Sequence, residues 1–139
     1  MMWGEKRAVR RVVVDTSLLM CSVEIGRNVA ELIAERIEGA LEIIVPSVVL
    51  EELDRLAESR GRRGILARIA RLQVEKLMWE GQCKMLEVEP LKHDADAAII
   101  ELAAELDAYL ASADEELRRR ARRLGVRVLA YRRASRSLE

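Results

Sequence analysis

Aspartate is scarce in this chain, with six against 18 glutamates, so each one invites a question. Asp15 ends the run Arg11-Val-Val-Val, whose β-branched residues read as a strand buried in a parallel sheet. In an open α/β sheet, ligands bind beyond the carboxyl ends of the strands, and Asp15 stands at that edge. Asp96 lies in the first turn of a helix over 94–106, on the face carrying Ile99, Ile100, Ala103 and Leu106. Asp114 opens a helix over 114–124 and lines up with Leu117, Ala121 and Leu124, while Arg119, Arg120 and Arg123 fall opposite. In a helix over 46–59, Glu52 lies about 60° from Val49, at the rim of the stripe Val49, Leu53 and Leu56. Asp94 points away from its stripe.

A carboxylate turned toward a core is costly unless something pairs with it, and no basic residue shares these faces. Convergence of Asp15, Glu52, Asp96 and Asp114 on a divalent cation removes that cost. Oxygen donors without His or Cys suit Mg²⁺ or Mn²⁺. Such an ion activates water and neutralises phosphate charge, which is phosphoryl chemistry. Thr16 and Ser112 are expected to support the acids or a phosphate by hydrogen bonds, with Asp94 as a further supporting group. Each acid also has a plainer reading. An Asp at a helix start is usually a cap or a dipole partner, and Glu52 can pair with Arg55 at i+3. For Asp114 the cap is less natural, because Ser112-Ala-Asp-Glu115 reads as a capping box with Ser112 as the cap. Asp15 is the hardest to dismiss in this way, since a strand-end Asp in a parallel sheet rarely has a structural task.

At 139 residues the chain is expected to be one domain, with 1–10 and 132–139 as flexible ends. No apolar run approaches the roughly 20 residues of a membrane helix. The amino terminus has basic residues but no apolar stretch of a leader, so the cytoplasm is the expected compartment. Cys21 and Cys83 show no metal-binding spacing and are read as packing residues. His93, in a loop over 90–93, is read as incidental.

The formal net charge is zero, so no global field announces a nucleic acid, yet the charge is clustered. Of 24 basic residues 20 are arginine, nine of them between Arg118 and Arg136 and six between Arg55 and Arg71. Arg118, Arg119 and Arg122, with Arg62 and Arg63 in the break at 60–64, are the candidates to hold a phosphate backbone. Two Trp and two Tyr are too few for base-stacking platforms.

The positioning elements follow from period and punctuation. Strands are expected at 11–14, 41–45, 83–88, 109–111 and 126–130, and a turn or short helix at 18–22. Longer helices are expected at 28–38, 46–59, 65–79, 94–106 and 114–124. In 65–79, Ile65, Ile69, Leu72 and Lys76/Leu77 recur at three- and four-residue steps. Strands alternating with helices give a Rossmann-like three-layer α/β/α sandwich around a central parallel sheet.

The ordered stretches Val12-Val-Val-Asp15-Thr-Ser, Val45-Pro-Ser-Val-Val-Leu-Glu-Glu52-Leu, Asp94-Ala-Asp96-Ala-Ala-Ile99 and Leu110-Ala-Ser112-Ala-Asp114-Glu-Glu-Leu117 together resemble the PIN-domain nucleases. The resemblance covers nearly the whole chain and carries over Asp15, Glu52, Asp96 and Asp114, the same acids the helical wheel selects. It departs at Ser112, where the family often has Thr; the hydroxyl is kept. It implies metal-dependent endoribonuclease activity on single-stranded or loop RNA, leaving a 5′ phosphate. Both the rRNA-processing PIN proteins and the VapC-type toxins share this core. It further implies a pre-ribosomal particle or an antitoxin as partner, and a homodimer for which the amphipathic helix 65–79 with Trp79 is the candidate surface. An RNA-binding assembly factor with a weak or unused site is the rival reading. A phosphotransfer receiver is disfavoured, since Lys6, Lys76, Lys84 and Lys92 are misplaced for it.

Overall fold

A computed structural model of the chain describes residues 9–89 and 94–139. The loop expected at 90–93, with His93, lies outside the described residues. Apolar β-branched runs make β1 (Arg10–Val14) and β2 (Leu41–Pro46), followed by β3 (Cys83–Leu86), β4 (Tyr109–Ser112), β5 (Val128–Arg132) and β6 (Ser137–Leu138). The helices are α1 (Thr16–Glu24), α2 (Val29–Arg36), α3 (Ser47–Ala57), α4 (Arg62–Trp79), α5 (Ala95–Glu105) and α6 (Glu115–Arg123).

The sheet runs β3-β2-β1-β4-β5-β6, parallel except for β6. From β1 the chain winds one way to β2 and β3, then returns past its start to β4 and β5. Right-handed crossovers in opposite directions put helices on opposite faces, which gives the three-layer sandwich. Strand order therefore reverses between β1 and β4, the crevice where open α/β sheets bind ligands. The register pairs Val14 with Ala111, so Asp15 and Ser112 leave the sheet side by side. Val12, Val13 and Val14 are fully buried, as a central strand covered on both faces requires.

Four expectations need correction. The segment 132–139 is no loose tail: β6 folds back antiparallel on β5, and Leu138 is buried. The last long strand begins at Val128 rather than 126. Leu124 stands at the exposed C-terminal end of α6 rather than in its buried stripe. Finally, α4 begins at Arg62, inside the segment read as a break. Gly61 precedes it at φ 83°, and Gly64 lets its first turn approach the preceding chain. A Cβ at Gly64 would lie 1.9 Å from the carbonyl oxygen of Ser59, so only glycine fits. The side of α4 that packs inward is Gly64, Ala67, Ala70, Val74 and Leu77. The row Ile65, Ile69 and Leu72 has the expected period but faces solvent.

Candidate active site

Asp15, Glu52, Asp96 and Asp114 line one cavity of about 270 Å³ at the switch point, together with Thr16, Ser17, Met20, Arg63 and Ile99. Three of the acids are delivered by strand-to-helix turns. Asp15 ends β1 and caps α1, its Oδ1 accepting from the Leu18 amide at 3.0 Å. Asp114 caps α6, accepting from the amides of Glu116 and Leu117. Asp96 sits in the first turn of α5. The positive ends of these helix dipoles favour anions there. Glu52, on α3, stands on the exposed rim and forms no ion pair among the described residues.

Asp15 is buried and held by two serines. Ser112 Oγ donates to Asp15 Oδ2 at 2.6 Å and accepts from the Asp114 amide at 2.9 Å. Ser17 Oγ donates to both Asp15 oxygens, at 2.8 and 3.0 Å, and accepts from the Ala113 amide at 3.1 Å. The hydroxyls thus lash the end of β1 to the turn after β4. Burial pushes the Asp15 carboxyl up from 3.8 to about 6, with the charge of Asp114 adding to the rise. The bonds from Ser112, Leu18 and Ser17 oppose the rise and do not cancel it. Asp96 is raised in the same way, by burial first and then by Asp114, with Asp94 and Glu52 contributing and Arg120 opposing.

Several side chains take other roles than their sequence suggests. Ser112 is the buried last residue of β4 and donates to Asp15, so the cap of α6 is Asp114 itself. Asp94 caps α5 through the Ala97 amide and accepts from Arg120 at 3.0 Å; Arg120 holds its carboxyl below the usual range. Asp96 is therefore not without a basic neighbour, for Arg120 reaches across from α6 to within 3.9 Å of it. Arg118 is buried: its Nη1 donates to the Ser112 carbonyl at 3.0 Å and its Nε has no partner among the described residues. It offers nothing to a phosphate backbone. Arg119 and Arg122 are exposed, Arg119 being paired with Glu115 at 3.3 Å, and Arg62 pairs with Glu24 at 3.3 Å. Of the candidate arginines only Arg63 lines the cavity.

Ser17 and Arg120 were missed as site residues. The pair of hydroxyls after Asp15 was a signal for Ser17, although the structure gives the work to the second of them. Arg120 had no sequence signal, because its long side chain crosses between helices.

The donor set fits a hard divalent cation. Four carboxylates border one cavity, two of them raised in pKa by burial and, to a lesser degree, by the neighbouring charge of Asp114, and among the described residues Arg63 and Arg120 are the cations that stand near. Among the described residues no three acids are gathered closely enough to ligate one ion directly.

Comparison with known proteins agrees with this architecture. The family model described as a PIN-like domain matches residues 12–134. Ribonuclease VapC9 of Archaeoglobus fulgidus is 30% identical over 127 residues, covering 90% of this chain and 85% of that protein. The solved structure of the PIN domain endonuclease Utp24 superposes with a TM-score of 0.71 at 19% identity, over 93% of this chain and 90% of that one. A domain of a functionally unknown protein from Methanocaldococcus jannaschii gives a TM-score of 0.64 at 23% identity, over 86% of this chain and 89% of that one.

Proposed function

The chain belongs to the PIN-domain family, and from that premise we propose that it is a Mg²⁺- or Mn²⁺-dependent endoribonuclease. The observation that carries the reading is the single cavity lined by Asp15, Glu52, Asp96 and Asp114 where the strand order reverses. The activities named for VapC9 and Utp24 support it. Asp15, Asp96 and Asp114 would hold the metal in part through its water ligands, and Glu52 would bind through water. When bound, the ion activates water and neutralises charge on the scissile phosphate.

The chain's own groups set the rest. Ser17 and Ser112 keep Asp15 in one orientation by donating to its oxygens, so the carboxylate does not have to be ordered at the moment of reaction. Asp114 spends one oxygen on the α6 amides, and its other makes no hydrogen bond among the described residues. Glu52, exposed at the rim, is placed to orient the attacking water or take its proton. Arg63, at the start of α4, supplies the cation for the RNA phosphate, while Arg119 and Arg122 lie outside the cavity and can contact only flanking backbone. Attack by water on phosphorus, with the P–O3′ bond breaking and the departing 3′ oxygen taking up a proton, would leave a 3′ hydroxyl on the upstream fragment and a 5′ phosphate on the downstream one. Substrates would be RNA, with an antitoxin or a pre-ribosomal particle as partner, and the two settings differ in which RNA is cut.

Calorimetric titration with Mn²⁺ tests the site apart from turnover. The reading expects binding by the wild type and at least tenfold weaker binding by Asp96→Asn. Absence of Mn²⁺ binding by the wild type at millimolar metal removes the metal from the account.

A further inference from the structure

A second cavity, of about 230 Å³, is lined by Cys21, Glu24, Ile25, Tyr131, Arg133 and Arg136. Helix α1 joins it to the carboxylate cavity: Met20 lines the one and Cys21 the other. The loop 133–136 between β5 and β6 supplies the two arginines. Strand β5 is parallel to β1 and two strands away from it. Its loop therefore leaves the sheet at the same carboxyl edge as Asp15, about 10 Å to the side at 4.8 Å per strand. Arg62 and Arg63, adjacent at the start of α4, reach one cavity each. Arg63 lines the first, and Arg62 pairs at 3.3 Å with Glu24 of the second. The acid of the second cavity is thus covered, while Arg133 and Arg136 form no ion pair among the described residues.

Two observations set these arginines apart from ordinary solvated surface. Burial pushes the Cys21 thiol up and the charge of Arg133 opposes the rise, so the Arg133 guanidinium stands close to the thiol. Arg136 has φ 52°, a left-handed conformation that hairpin loops ordinarily give to Gly or Asn. Among the described residues the other non-glycine with positive φ is Asp107, whose short side chain tolerates it. The hairpin thus keeps a strained arginine where glycine would sit without strain, and that arginine lines the cavity.

We propose that the second cavity holds a phosphate of the RNA strand two to three nucleotides from the scissile one, gripped by Arg133 and Arg136. This rests on the nuclease reading for the scissile position and for RNA as the polymer. Phosphates of a stacked strand follow each other at about 3.4 Å, so 10 Å spans about three of them, and fewer when the strand is extended. The planar guanidinium matches phosphate oxygens two at a time. A strand running from Arg63 across α1 to Arg133 and Arg136 meets positive charge at both ends, and Arg62 screens it from Glu24 between them. Such contacts fix where the strand lies and read no base.

Fluorescence anisotropy of the full chain with a labelled single-stranded RNA of about twelve nucleotides, in EDTA across a salt series, tests the subsite without turnover. Arg133→Ala combined with Arg136→Ala should weaken binding about tenfold and flatten the log–log salt slope by about 0.7, the release of one phosphate. Arg10→Ala, at the opposite edge of the sheet, should change neither. Arg136→Gly removes one guanidinium while relieving the backbone, so its weaker binding, with circular dichroism unchanged, cannot come from unfolding. In Mn²⁺, a single neutral methylphosphonate placed two or three nucleotides from the cut should slow cleavage by the wild type and not slow the double variant further. No binding of RNA by the wild type, wild-type affinity and slope in the double variant, or an equal loss in Arg10→Ala overturns the subsite. Arginine-dependent binding without any cleavage by the wild type would remove the nuclease reading and leave the phosphate site standing.

Discussion

Replacing Asp15 by Asn should stabilise the metal-free protein at pH 8 while destroying its site. The Asp15 carboxyl titrates near 6 in the fold against 3.8 in an open chain. Its folded value is raised, so its contribution is most favourable below pH 3.8 and is lost as pH rises through 6. Above 6 the buried anion costs the fold about 3 kcal/mol, at roughly 1.4 kcal/mol per tenfold in the ionisation constant. Asn removes that charge and can still accept from the Leu18 amide. Its amide nitrogen cannot accept the Ser112 and Ser17 hydroxyl protons, a loss of about 1–1.5 kcal/mol. The net gain is about 1.5–2 kcal/mol at pH 8, or roughly 4–6 °C in melting temperature for a chain of this size. Below pH 3.8 Asp15 is mostly neutral in both states, and the advantage should have disappeared. Metal reverses the ranking, since saturation at 100 times the dissociation constant adds about 2.7 kcal/mol to the wild type alone. Urea unfolding of both proteins at pH 4, 6 and 8, in EDTA and in Mn²⁺, measures all of this. An Asp15→Asn protein at least 1 kcal/mol less stable than wild type at pH 8 in EDTA would refute the reasoning, because the carboxylate would then be supporting the fold.

Three further outcomes follow from neighbouring residues. Ser112→Ala removes a bond that holds Asp15 anionic, so the rise of cleavage rate with pH should move alkaline by about one pH unit; a pH–rate profile with an unmoved midpoint would free Ser112 of that role. Gly64→Ala drives a methyl into the Ser59 carbonyl and should cost about 1–3 kcal/mol in urea unfolding, with cleavage reduced as the start of α4 shifts. Arg63→Ala should flatten the salt dependence of RNA binding by about 0.7 in log–log slope, whereas Arg118→Met, changing a buried group, should leave that slope unmoved; fluorescence anisotropy across a salt series distinguishes them.

How much of this was legible in the sequence depends on the range of the interaction. The valine run, its terminal Asp15 and the helical phase of Asp96 are local facts, and the structure brings both acids to one cavity beyond the end of β1. Glu52 was legible too, at the rim of its stripe. Asp114 was found by phase, yet its capping role was assigned to Ser112, because sequence spacing cannot tell that Ser112 still belongs to β4 and faces Asp15. Arg118 and Arg120 share a charged helix, and only tertiary packing buries the first and sends the second to Asp94. The first half of the core face of α4 is Gly64, Ala67 and Ala70, whose weak hydropathy hides beside the larger residues of the open face. The pairing of β6 rests on one buried leucine in a polar tail, too little for a periodic signal.

Cleavage of a labelled mixed-sequence RNA in EDTA, Mg²⁺ or Mn²⁺, by wild type beside Asp15→Asn, tests the central claim most directly. The account predicts internal cuts by the wild type with metal, none in EDTA, and none by the folded Asp15→Asn protein. Cleavage that persists in EDTA, or in the Asp15→Asn protein, would contradict it.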